Sequence, residues 1–149
     1  ILSVAISLSI YNNLFSGYNY ESDLDCIKYH SFKNHDAQTI VFKYENKKRE
    51  IILFNTQDNF FYNCILDKKQ KNGKTMYRLN CKSNMPPITY HTEWTEIDKN
   101  LRYIFVDYEN DIEDIDCQGF EPVGTKIYYT IANGEQKSCW IYIIDESVM

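Results

Sequence analysis

The sequence predicts an all-β chain, most simply an up-and-down antiparallel barrel of about eight strands with one short late helix. A two-sheet sandwich is the competing architecture. Three observations lead there. Short runs of alternating large and polar side chains recur along the chain, with the period of two that strands require. Most are joined by short turn signals, of which Asn72-Gly73, between Lys71 and Lys74, is the strongest hairpin signal. Thirteen Tyr and eight Phe favour strands, while five Gly and three Pro leave few sharp turns. A meander of this kind removes its edges by closing into a barrel.

At 149 residues and 44% hydrophobic, the chain is long enough to bury a sizeable core. No repeat or composition break divides it, so residues 1–149 read as one domain. In residues 1–10, Leu2, Val4, Ile6, Leu8 and Ile10 alternate with Ser3, Ala5, Ser7 and Ser9. That is a strand with one dry face, and the absence of a basic leader argues against a signal core. Residues 11–25 read as a long loop and 26–31 as a short strand. Strands follow at Thr39–Glu45, 50–54, 60–66, 75–81, 88–93, 101–107, 126–132 and 140–144. Turns are expected at 46–48, 55–59, 98–100 and Asn133-Gly134. The basic clusters Lys47-Lys48-Arg49 and Lys68-Lys69-Gln70-Lys71 fall between strand-like runs and read as solvated hairpin tips.

The stretch 101–117 organises the rest. Leu101, Tyr103 and Phe105 share one strand face, and Arg102, Ile104 and Val106 the other. Six carboxylates follow, at Asp107, Glu109, Asp111, Glu113, Asp114 and Asp116, with Ile112 and Ile115 three apart. Carboxylates complement the positive end of a helix, so a short helix beginning about Asn110 is expected.

Several function classes lack their residues. A net charge of −5 with no long basic block disfavours nucleic-acid and anionic-membrane partners. No segment is long enough for a membrane span. His30, His35 and His91 lie beside no nucleophile and lack the helical metal-pair spacing. The run from Asp107 resembles a calcium loop, but Ile112 stands at the required glycine and Gln118 at the final acid. With no phosphate-cradling loop and no carboxylate pair at a working spacing, neither an enzyme nor a bound cofactor or metal is expected. Cys26, Cys64, Cys81, Cys117 and Cys139 are too dispersed for a zinc site. They suit disulfides in a secreted protein, with reduced core thiols as the alternative. Cys64 lies in an apolar run and is expected to be the buried unpaired thiol.

Asp107-Tyr108-Glu109-Asn110, Cys117 and then Cys139, 22 residues further on, resemble the tick salivary lipocalins, the histamine-binding family. Tyr11-Asn12-Asn13-Leu14-Phe15 before Cys26 matches that family's upstream motif at the Tyr and an Asn only. The resemblance is loose over most of the chain and close over 101–117. It implies disulfides Cys26–Cys139 and Cys81–Cys117, and a secreted binder that sequesters a host mediator. It also exposes departures. Leu14, Arg102 and Lys82 stand where amine-binding members carry acids. An inward Arg102 would repel an ammonium ligand and suits the carboxylate of a fatty acid or eicosanoid. The alternative for Arg102 is an ion pair with a neighbour or a place at the barrel mouth.

By strand parity the candidate lining is Ile6, Leu8, Ile10, Arg102, Ile104 and Val106, with Phe42, Tyr44, Phe54, Tyr62 and Tyr77 as further candidates. A small barrel can also be packed solid by such side chains. Two partner classes follow: a hydrophobic small-molecule ligand held inside, or a host immune protein captured by the outer surface. In the second, residues 11–25 and 83–95, with exposed Tyr and Trp94, are the contact candidates.

Overall fold

The computed structural model describes residues 17–29, 39–84 and 93–148. The expected strand at 1–10, the first six residues of the loop after it and nearly all of the strand at 88–93 lie outside these residues. The chain forms two compact units, Ile1–Asn84 and Met85–Met149. Among the described residues there are eight strands in two four-stranded antiparallel sheets.

In the first unit a helix, α1 (Asp23–Tyr29), precedes β1 (Thr39–Glu45), β2 (Arg49–Asn55), β3 (Phe61–Lys71) and β4 (Lys74–Asn84). The four strands pair in chain order, as a meander requires. Asn46 Oδ1 accepts from the backbone N–H of Lys48 and of Arg49, both at 2.8 Å, and so closes the first hairpin. Asn72 and Gly73 have φ of 52° and 77°, the two left-handed residues that a tight primed turn needs. β3 and β4 outrun the expected 60–66 and 75–81 because this turn lets the ladder continue to Lys71↔Lys74.

The short strand expected at 26–31 is corrected: Asp23–Tyr29 is helical. Its signals were present in the sequence. Ser22 Oγ accepts from Asp25 N at 3.3 Å, as a helix N-cap does. Asp23 and Asp25 fill the first turn and Lys28 the last, matching the helix dipole. Cys26 and Ile27 turn fully inward. They pack on Ile52, Phe54, Tyr62, Cys64 and Leu66 of the sheet.

In the second unit β5 (Thr95–Asp98) and β6 (Leu101–Val106) lead into a 3-10 helix, Glu109–Asp114. β7 (Val123–Thr130) and β8 (Gln136–Asp145) follow. The expected late helix is present, one residue earlier than Asn110. Asp111 holds its start: its carboxylate accepts from Tyr108 N at 3.2 Å, and its N–H donates to Tyr108 O at 3.1 Å. The sheet order is β5-β6-β8-β7. Here the pairing departs from an up-and-down meander, since β6 neighbours β8 and β7 takes the edge. The long connection between β6 and β7 gives the chain room to skip a position.

Candidate functional site

Strand register decides which candidate residues meet. Ile40 pairs with Phe54, but one bulge later Phe42 pairs with Leu53 and Tyr44 with Ile51. Paired residues in antiparallel strands point to the same side of a sheet. Phe42 and Tyr44 therefore share the Ile51/Leu53 face, whereas Phe54 and Tyr62 share the face under α1. Tyr77 packs against that second group. The five aromatic candidates thus divide between the two faces of one sheet, and a single lumen takes only one set. Parity read along each strand missed this because a bulge shifts it by one residue. Phe54 and Tyr62 stack with centroids 5.7 Å apart. Leu8 and Ile10, the candidates from the first strand, lie outside the described residues.

Arg102 sits in the second unit at 7% exposure. Its Nη2 lies 3.1 Å from Glu146 Oε1, and its guanidinium lies 5.4 Å from the Phe120 ring centroid. The Glu146 contact falls short of a hydrogen bond: neither Nε nor Nη2 of Arg102 has a hydrogen-bond partner. The ion-pair alternative is thus realised, while two buried donors stay unfilled. Ile104 and Val106, on the same strand face, pack with Tyr142, Trp94, Ile112, Ile115 and Trp140. The 3-10 helix and its flanks cover that face. Tyr142 Oη donates to Glu109 O at 3.2 Å, and Trp94 Nε1 donates to Asp116 O at 3.0 Å. Trp94, expected as an exposed contact residue, is half-buried and engaged. Gly124 is needed beside this cluster, because a Cβ there would stand 2.4 Å from the Tyr142 ring.

Two buried carboxylates were not singled out from the sequence. Asp67 meets Arg78 Nη2 at 2.6 Å and Arg49 Nη1 at 3.4 Å, and accepts from Asn80 at 3.2 Å. Glu50 is fully buried, with Lys43 Nζ 3.0 Å from Oε1 but neither carboxylate oxygen hydrogen-bonded. Burial raises its pKa above the usual carboxylate value; Lys43 opposes the rise and nearby Asp23 adds to it. Lys43 also reaches Asp23 of α1 at 2.7 Å. An isolated acidic residue inside the β2 run was the available signal, since a strand buried on both faces has no solvent side for it.

Cys26, Cys64 and Cys139 are fully buried, Cys117 is half-buried and Cys81 is exposed. All five are unbonded thiols in this structure. Burial pushes the Cys26 and Cys139 thiols up to about 12. Among the described residues no group of His, Cys, Asp and Glu is placed to hold a metal ion. No described helix is long and apolar enough to cross a membrane. Comparison with models of known families, with curated proteins and with solved structures gives no match.

Proposed function

We propose that this chain is a secreted, non-enzymatic lipocalin-like protein that binds a small carboxylate ligand, a fatty acid or eicosanoid, with Arg102 as its anion-recognising residue. The observation that supports it is the pair of unfilled donors on the buried Arg102 guanidinium. An unmet buried donor costs roughly 1–3 kcal/mol, and a ligand carboxylate at Nε and Nη2 removes that cost. Glu146 holds the charge in the ligand's absence. On this reading the 3-10 helix and Phe120 roof the site.

The disulfides belong to the same proposal. Cys26 and Cys139 are both fully buried, while Cys81 and Cys117 are the two less buried cysteines. Cys64 is as buried as Cys26 and Cys139, so the pairs Cys26–Cys139 and Cys81–Cys117, with Cys64 left as the thiol, rest on the resemblance to the tick lipocalins. Each bridge closes a long loop and would contribute roughly 3–5 kcal/mol.

Native mass spectrometry of protein purified without delipidation should show a retained small acid. Titration with a fluorescent fatty acid should show binding that Arg102→Ala weakens at least about tenfold, the loss of one charged hydrogen-bonded contact. Equal affinity in both proteins removes Arg102 from the site. Non-reducing peptide mapping of secreted material should find the two bridges and alkylated Cys64. Alkylation of Cys81 in the native protein sinks the pairing.

A further inference from the structure

The net charge of −5 conceals a division. Residues 1–84 hold twelve Lys and Arg against eight Asp and Glu, a net of +4. Residues 85–149 hold four against thirteen, a net of −9. In sequence the cations of the first unit form two modest clusters about twenty residues apart, neither long enough to attract a polyanion. The fold joins them. Arg49 pairs with Asp67, and Lys68 N donates to Lys48 O at 2.7 Å, which seats the β1–β2 turn against the outer part of β3.

Beyond that point the β3–β4 hairpin continues for four more pairs, from Lys68↔Tyr77 to Lys71↔Lys74, with Tyr20 bridging Tyr77 along its side. At ~3.3 Å per residue this arm is roughly 13 Å long. Lys69, Lys71 and Lys74 share one face of it, in line with Arg78 at its base. Few carboxylates answer these cations. Asp67 is shared by Arg49 and Arg78, Glu21 meets Lys74 at 2.8 Å, and Glu45 meets Lys68 at 2.8 Å. Deeper in, Lys43 stands between Asp23 and Glu50. The ammonium groups of Lys47, Lys48, Lys69 and Lys71 meet no carboxylate among the described residues, and all four residues are exposed.

We infer that this paired-hairpin end of the first sheet is a docking surface for a linear sulfated polysaccharide. The charge selects a polyanion, and the surroundings select its class. A bilayer-binding tip needs an apolar side chain to insert. Among the described residues the exposed large apolar side chains are Leu24, Ile40, Tyr108, Val123, Tyr128 and Val148, and none lies on this arm. A single-stranded nucleic acid needs an open aromatic face for stacking. The aromatic ring beside the Lys69–Arg78 row, Tyr18, is taken: Arg78 lies 4.7 Å and Lys69 5.9 Å from its centroid. What remains is a row of cations without stacking or insertion groups. That suits a chain whose anionic groups recur along a flexible, apolar-poor backbone.

The test is affinity of the full chain for heparin at several salt concentrations. The comparison is with Lys47→Gln/Lys48→Gln/Lys69→Gln/Lys71→Gln and with the control Lys126→Gln/Lys137→Gln. Binding that falls steeply with salt, weakens by about tenfold or more in the quadruple variant and is unchanged in the control supports the surface. No heparin binding at low salt, or equal loss in the control, overturns it. Tighter binding to phosphatidylserine vesicles or to single-stranded DNA than to heparin overturns the assignment to a polysaccharide.

Discussion

The two sheets are built to one plan and treat buried charge differently. Each has four antiparallel strands, and each has a short helix over one face. In the first, the buried carboxylates Glu50 and Asp67 draw their cations from neighbouring strands: Lys43 from β1, Arg49 from β2 and Arg78 from β4. In the second, Arg102 finds its carboxylate beyond the last strand, at Glu146. Asp145 is likewise held by Ser147, whose N–H donates to it at 2.9 Å. A charge answered within the sheet is fixed by register. A charge answered by a following segment keeps its partner only while that segment stays docked. The second arrangement suits a residue that exchanges partners when a ligand arrives.

The comparison can be broken at the cores first. Phe54→Ala and Ile104→Ala each remove a buried side chain and should cost about 3–5 and 2–5 kcal/mol. If residues 1–149 unfold as one domain, both variants lower the same thermal transition. Two transitions, each sensitive to one variant, would make the sheets independent domains. Gly124→Ala comes next. Its Cβ collides with the Tyr142 ring, and the resulting overpacking should cost about 1–3 kcal/mol. Near-UV circular dichroism should change with it as the Trp140–Tyr142 stack shifts.

The buried ions separate the sheets more finely. Glu146→Ala strands the Arg102 charge and should cost about 1–2 kcal/mol, discounted because Glu146 is partly exposed. Arg102→Met removes the charge and its need together, so denaturant melts should show it close to wild type. The reverse ranking would mean that the pair itself stabilises. A small effect is expected at Glu50. Its folded pKa is raised, so the folded state favours the protonated form. Stability is therefore lost as pH rises from the unfolded carboxylate range through the raised value. Glu50→Gln lacks that loss. It should melt higher than wild type at pH 8, by about 1 kcal/mol, with the gap closing toward pH 4. A gap that widens on acidification would show Glu50 to be stabilised as the anion by Lys43.

Much of the local structure was legible in the sequence. Asn72-Gly73 announced its hairpin because few residues tolerate two successive left-handed conformations. The alternation in Thr39–Glu45 and 101–107 announced strands, and the acids after Val106 announced a helix start. α1 was missed because a seven-residue helix with Cys26 and Ile27 adjacent on its buried side shows no helical period beside a loop rich in Tyr and Asn. The aromatic candidates were misgrouped for a different reason: a bulge at Ile40–Phe42 leaves no mark on composition.

The sequence by itself determined most of the strands and their turns and the burial of Ile104 and Cys64, because side-chain size, period and turn chemistry act over a few residues. Only the tertiary structure decided that β6 pairs with β8, that Arg102 faces Glu146, that Glu50 and Asp67 are buried with their cations, and that two minor basic clusters form one surface. Each of these depends on which strand lies beside which. That is settled by the mutual burial of whole sheet faces, a quantity no short window of residues contains.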